Sequence, residues 1–293
     1  MRSAALALGL LCAAAAARGQ APSAPALGTI TVEARRQLDE QVSHFVAGVV
    51  AHHGNDSLAR WDVPICPLVG GLPREHGEFI LGRISEIAAA VHAPLAGAKC
   101  RANLYVVATA QPDLLLKKWW HRDPNLYDTG NGMGYVNAFL RSTRAIRGWY
   151  NAELLASDGG AVTPDSLVAA LSGTALETMQ VPAIQISTAT RLRYSALKGL
   201  SSVIIVVDTN RARGVTFGQL ADYIAMVGLA EIRVDSDPRD APSILGLFQP
   251  SGPRPSGMTS WDEALLKALY ATDQSSVLQI SNIKTDMLKR IAP

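Results

Sequence analysis

Histidine runs out at His121 and cysteine at Cys100 in this chain of 293 residues. The six histidines are His44, His52, His53, His76, His92 and His121, so the C-terminal half by itself supplies neither an imidazole nor a thiolate to a site. No Gly-x-Ser-x-Gly elbow is present, and a Ser-His-Asp triad would have to take its histidine from the first 121 residues. Gly130-Asn131-Gly132-Met133-Gly134 follows no apolar strand and lacks the lysine of a phosphate loop, so no nucleotide cofactor is expected. No internal repeat occurs, and no long apolar run follows the N-terminus, so no further membrane-spanning segment is expected. Nor does one sign of charge dominate. Removing residues 1–21 takes away Arg2 and Arg18, which brings Lys+Arg from 27 to 25, level with 25 Asp+Glu. That balance offers no general attraction to nucleic acid or anionic lipid.

What is present begins with Met1-Arg2, an Ala- and Leu-rich run from Ala4 to Ala17, and small residues at Gly19 and Ala21. Charge, length and cleavage chemistry are those of a signal peptide over residues 1–21, which predicts export to the periplasm or beyond. Cys12 follows Gly9-Leu10-Leu11, a poor lipobox, and lipidation is not expected. Residues 22–30 read as a flexible lead. The whole sequence is 48% hydrophobic, and the remainder, 31–293, is long enough for one large domain or two small ones; a single domain is expected.

Periodicity predicts a helix over 31–50 with Leu38, Val42, Phe45, Val46 and Val49 on one stripe. His52-His53 ends it; neighbouring residues there point apart, and solvated loop histidines explain them better than a metal site. A strand over Val63–Leu68, a helix from Pro73 to Val91 with Phe79, Ile80, Ile84, Ile87 and Val91 inward, and a strand over Leu104–Ala108 make a βαβ unit. Cys66 and Cys100 fall near the starts of its two strands. A disulfide between them is expected in an exported chain, the other reading being a reactive thiol without CxxC or histidine-rich context.

A short helix over Asp113–Trp120 leads to a loop from His121 to Gly134. Trp119, Trp120, His121 and Arg122 combine aromatics with cations, as a binding rim would; a packed tryptophan pair beside solvated charges is the alternative. Strands are predicted at Ile146–Ala152 and Ala183–Ser187, with a helix over Pro164–Met179 capped by Thr163 between them. Thr190–Tyr194 reads as an antiparallel edge. Pro250–Pro255 is a linker; Ser260 with Glu263 caps a helix through Tyr270, and a last helix over Ser276–Ile291 buries Val277, Ile280, Ile283, Met287 and Ile291.

The chain is organised around Ser202–Phe248. Val203–Val207 is a β-branched strand ending at Asp208. Thr216 and Gln219 have capping-box spacing, and Phe217, Leu220, Ala221, Ile224, Ala225 and Gly228 share one helix face. Asp222, with Glu231, Asp235 and Asp237 beyond it, reads either as solvated acids or as an acidic cluster serving a metal or acid/base site.

Gly228-Leu229, the Pro242-Ser243-Ile244-Leu245 turn and the helix Trp261–Tyr270 resemble a bacterial secreted, zincin-like family of unknown function. The resemblance implies an α+β domain with a mixed twisted sheet packed by helices, an N-terminal part over 31–200 and a helical part over 215–293. It further implies a degenerate metal helix over about 216–229. Zinc peptidases of this type hold the metal through HExxHxxGL, with the glutamate as base. Laid on Gly228-Leu229, that pattern falls on Ala221, Asp222, Ala225 and Gly228, so no catalytic residue, metal ligand or cofactor is expected from it. The implied role is non-enzymatic binding of a peptide or protein in the cell envelope. A hydrolase using the histidine-bearing first half, and a purely structural envelope component, are the other readings.

Overall fold

A computed structural model describes residues 27–52, 57–123, 126, 133–157, 162–168, 178–184, 191–194, 196–239, 241–250 and 254–292. The signal-peptide reading therefore lies outside the described residues. The chain divides after Gln37: residues 27–37 are the leading turns of α1 (Leu27–Val49), and a second unit runs from Leu38 onward.

Within that second unit, β1 (Pro67–Gly70), α2 (Arg74–Ala90) and β2 (Leu104–Thr109) form the expected βαβ arrangement, with β1 parallel to β2. The long strand β6 (Ala196–Asp208) runs parallel to β2, placing Leu104 opposite Val203 and Val106 opposite Ile205. On its other side β3 (Ile146–Ala156) is antiparallel, with a register shift at Asn151/Ala152, and the four-stranded order is β1-β2-β6-β3. The chain is thus α+β with a mixed sheet. Alternation along β6 feeds two cores. Val203, Ile205 and Val207 join Leu104 and Val106 in the larger, with Ile80 and Ile84 of α2 and Ile224 of α5 (Phe217–Leu229). Ile204 and Val206 point the other way and meet Leu116 of α3 (Pro112–Arg122) and Phe139 of α4 (Met133–Arg141). A strand buried on both faces reads as a continuous apolar run, which is why Val203–Val207 stands out in the sequence. The helices α6 (Ser260–Ala271) and α7 (Gln279–Ile291) complete the larger core through Leu265, Leu266, Ile283 and Met287.

Several expectations need correction. The helix over Pro164–Met179 with its Thr163 cap does not form. Val162–Val168 and Thr178–Ile184 are instead the antiparallel strands β4 and β5, in which Pro164 stands opposite Pro182. β-Branched residues at the ends of both segments favour the ribbon, and a two-stranded sheet tolerates prolines because each strand has a free edge. The expected strand at Ala183–Ser187 is only the end of β5, its last three residues lying outside the described residues. Arg193 bridges Ser276 rather than β6. The first strand starts at Pro67, later than Val63. Phe79 is half exposed, since it sits about 100° around the helix from the buried line Ile80, Ile84, Ile87. Phe217 and Val277 are also exposed, lying at or before the first turn of their helices. Thr259 and Asp262, one residue earlier than Ser260 and Glu263, form the capping box of α6. His121 and Arg122 finish α3 and Gly134 belongs to α4, although the sequence pattern predicts a loop for all three.

Cys66 and Cys100 are joined, with Cα atoms 5.9 Å apart across a sequence separation of 34. Closing a loop of that size stabilises the fold by about 3 to 4 kcal/mol. Replacing both cysteines by serine should lower the free energy of unfolding in urea by that amount. An unchanged midpoint would mean that the bridge adds nothing to stability.

Candidate functional site

Helix α5 leaves the carboxyl end of β6 through residues 209–216. Its N-terminus is closed by its own residues: Thr216 Oγ1 accepts from the Gln219 amide at 3.2 Å, and Gln219 Oε1 accepts from the Thr216 amide at 2.8 Å. Its C-terminus has no comparable backbone cap, since Ala230 is extended. Three aromatic donors serve its last carbonyls instead. Tyr150 Oη donates to Val227 O at 2.9 Å, Trp61 Nε1 to Gly228 O at 2.8 Å and Tyr270 Oη to Leu229 O at 2.7 Å. These groups satisfy acceptors that a helix end otherwise leaves open. Burial holds the Tyr150 and Tyr270 hydroxyls well above the usual phenol range, so both remain donors.

The four positions on which the zinc-peptidase pattern falls, Ala221, Asp222, Ala225 and Gly228, are all buried. Ala221 and Ala225 have no exposed surface and share a stripe with Gly228. A side chain at Gly228 would come within 3.2 Å of Leu104 and 3.5 Å of Ile205, so that stripe faces the sheet. Asp222 is already committed: its Oδ1 accepts from Arg83 Nε at 2.5 Å and its Oδ2 from the Met258 amide at 2.7 Å. It is a tie between α2, α5 and the segment before α6 rather than a solvated acid. Glu231 is buried, whereas Asp235 and Asp237 are exposed. Asp235 is paired with Arg233 at 2.8 Å, and that guanidinium lowers its pKa. No group of three or more His, Cys, Asp or Glu residues is placed to hold a metal among the described residues.

The open space lies on another side of α5. A cleft of about 1320 Å³ opens between the turn after β6, the residues entering β3 and the segments 236–239, 241–250 and 254–259. Tyr223 of α5 and Leu245 border it from the core, and the partly exposed Val215 and Phe248 add apolar surface. Arg144, Arg211, Arg213, Arg239 and Arg254 also line it. Arg144 is half-buried and fixed, donating to Ser236 Oγ at 3.2 Å and Ser236 O at 2.8 Å. Burial raises the pKa of the neighbouring Tyr223 hydroxyl, an effect that Arg144 opposes.

The turn after Pro242 is held from behind by Asp262, which is fully buried. Its carboxylate accepts from Ser243 Oγ at 2.5 Å, the Ile244 amide at 2.8 Å, the Thr259 amide at 2.9 Å and Thr259 Oγ1 at 2.8 Å. Desolvation outweighs these bonds and raises its pKa. Between the ordinary aspartate value of about 3.9 and the raised value, the folded state binds more protons than the unfolded one, so this group makes stability fall as pH rises through that window. Urea midpoints measured across it should show that slope, and Asp262→Asn should flatten it; an identical profile in the variant would contradict the assignment.

The other sequence candidates lie elsewhere. Trp119 and Trp120 pack half-buried against the smaller core, while His121 and Arg122 are exposed at the end of α3; none of the four lines the cleft. His52, His76, His92 and His121 do not line it either, and His53 lies outside the described residues. His76 stacks on Phe217 with ring centroids 4.2 Å apart. The cleft arginines went unread because they are scattered over four short segments of a chain with balanced charge. The available signal was Arg211-Ala212-Arg213 directly after a buried strand, the position at which open sheets usually present ligand-binding residues. Comparison with protein families, curated proteins and solved structures finds no match.

Proposed function

We propose that this chain is an exported, non-catalytic binding protein on a zincin-like scaffold, and that it takes a peptide or a segment of a protein into the cleft beside α5. The observation that carries the reading is the opposition of two faces of one helix. Ala221 and Ala225 are sealed against the sheet where zinc ligands would be required, while Tyr223 borders an open volume of about 1320 Å³. Methyl groups cannot ligate, and the one acid in the motif is bound to Arg83 and Met258. A mixed sheet with helices on its faces and a helix leaving the central strand supports the scaffold; the bridged Cys66–Cys100 pair supports an oxidising compartment.

The purified mature chain should hold zinc far below one equivalent and show no chelator-sensitive peptidase activity. Stoichiometric zinc, with peptide hydrolysis lost on chelation and regained on zinc addition, would overturn the proposal.

A further inference from the structure

We infer that the occupant of the cleft is an acidic peptide segment in which carboxylates alternate with apolar side chains; this rests on the binding role proposed above. Among the described lining residues there are five guanidinium groups and a single carboxylate, Asp237. Asp237 is occupied, accepting from the Arg239 amide at 2.8 Å and from Gln249 Nε2 at 3.0 Å. Of the five arginines only Arg211 has a carboxylate partner among the described residues, Asp208 at 3.3 Å. Arg213 donates to Asn210 Oδ1 at 2.8 Å and Arg254 to Gly214 O at 3.3 Å, neutral acceptors that orient a guanidinium without cancelling its charge. In a chain of balanced charge, the cleft is therefore a local cationic field.

The helix ends beside the cleft do not supply the anion site. Thr216, Ser243 and Thr259 already cap α5, the 3-10 turn at Ile244–Gly246 and α6. Recognition falls to the guanidiniums, whose paired N–H groups match the two oxygens of a carboxylate. Size argues for a chain rather than a small oxyanion. The cleft exceeds the roughly 300 to 1000 Å³ usual for small-molecule pockets. The partly exposed apolar side chains of Val215 and Phe248 give alternate residues of an extended peptide something to cover.

The test is fluorescence anisotropy of the whole mature protein with a fluorescein-labelled peptide of alternating glutamate and leucine, about eight residues and roughly 26 Å long when extended. A glutamine–leucine peptide of the same length is the control. The acidic peptide should bind and the neutral one should not. Arg213→Ala combined with Arg254→Ala should weaken binding roughly tenfold or more, because charge-assisted bonds are lost. Arg74→Ala, on an exposed part of α2 outside the cleft, should leave it unchanged. Raising ionic strength from about 0.05 to 0.5 M should weaken it further. Equal binding of both peptides would overturn the charge assignment while leaving the binding role intact. Displacement by an equal concentration of inorganic phosphate, or no binding of either peptide, would overturn the acidic-peptide assignment. Zinc-dependent cleavage of the peptides would overturn the binding role itself.

Discussion

Introducing histidine at both Ala221 and Ala225 is expected to destabilise the protein by at least about 4 kcal/mol and to leave it without a zinc site. Each substitution forces an imidazole into a position with no exposed surface, on the stripe that meets the sheet. Overpacking alone costs about 1 to 3 kcal/mol per site, and each buried ring nitrogen without a partner adds about as much again. Against a total stability of roughly 5 to 15 kcal/mol, that removes much of the folded population. Urea denaturation of the double variant, with a zinc titration of whatever remains folded, checks both parts. A variant of parental stability that bound one zinc would show that the two alanines border usable space, and the account of this face of α5 as sealed against the sheet would be wrong.

Trp61→Ala is expected to cost about 4 kcal/mol, within the range for deleting a large buried aromatic. Trp61 is almost fully buried and its indole holds the Gly228 carbonyl at 2.8 Å. Trp61→Phe separates the two contributions: most of the packing is kept, and the loss of the donor should cost about 1 to 2 kcal/mol. Thermal or chemical denaturation of both variants gives the comparison. If Trp61→Phe matched the parent, the clasp on the end of α5 would be packing alone, and the hydrogen bonds from Tyr150 and Tyr270 would need the same reassessment.

Elements with strong periodicity were legible in the sequence. Helix α2 and strand β2 of the βαβ unit, the β-branched core of β6 and the Thr216–Gln219 box all signal locally and lie where their residues indicate, whereas β1 shares only Pro67 and Leu68 with the expected strand. The cysteine pair was legible for a related reason: two thiols in a chain expected to be exported have few fates. The β4–β5 ribbon was not, because Val162–Val168 and Thr178–Ile184 pair across a gap that local spacing does not read. Sequence alone also chose the wrong cap for α6, since Thr259 with Asp262 and Ser260 with Glu263 fit the same pattern, and only burial of Asp262 separates them. The cleft was illegible for a more general reason. Its arginines come from four stretches of the chain, and their shared sign matters only once folding has brought them to one mouth.

The single covalent tie has a direction. Cys66 and Cys100 stand just ahead of β1 and β2, at the end of the parallel strands where the chain enters the sheet, whereas Arg211 and Arg213 follow the exit of β6. The covalent tie thus lies at the opposite end of the strands from the cleft, where Arg211, Arg213 and Arg254 are held by an ion pair and hydrogen bonds. Reducing the Cys66–Cys100 bridge would therefore free the entry end of the sheet and touch none of the residues that line the cleft.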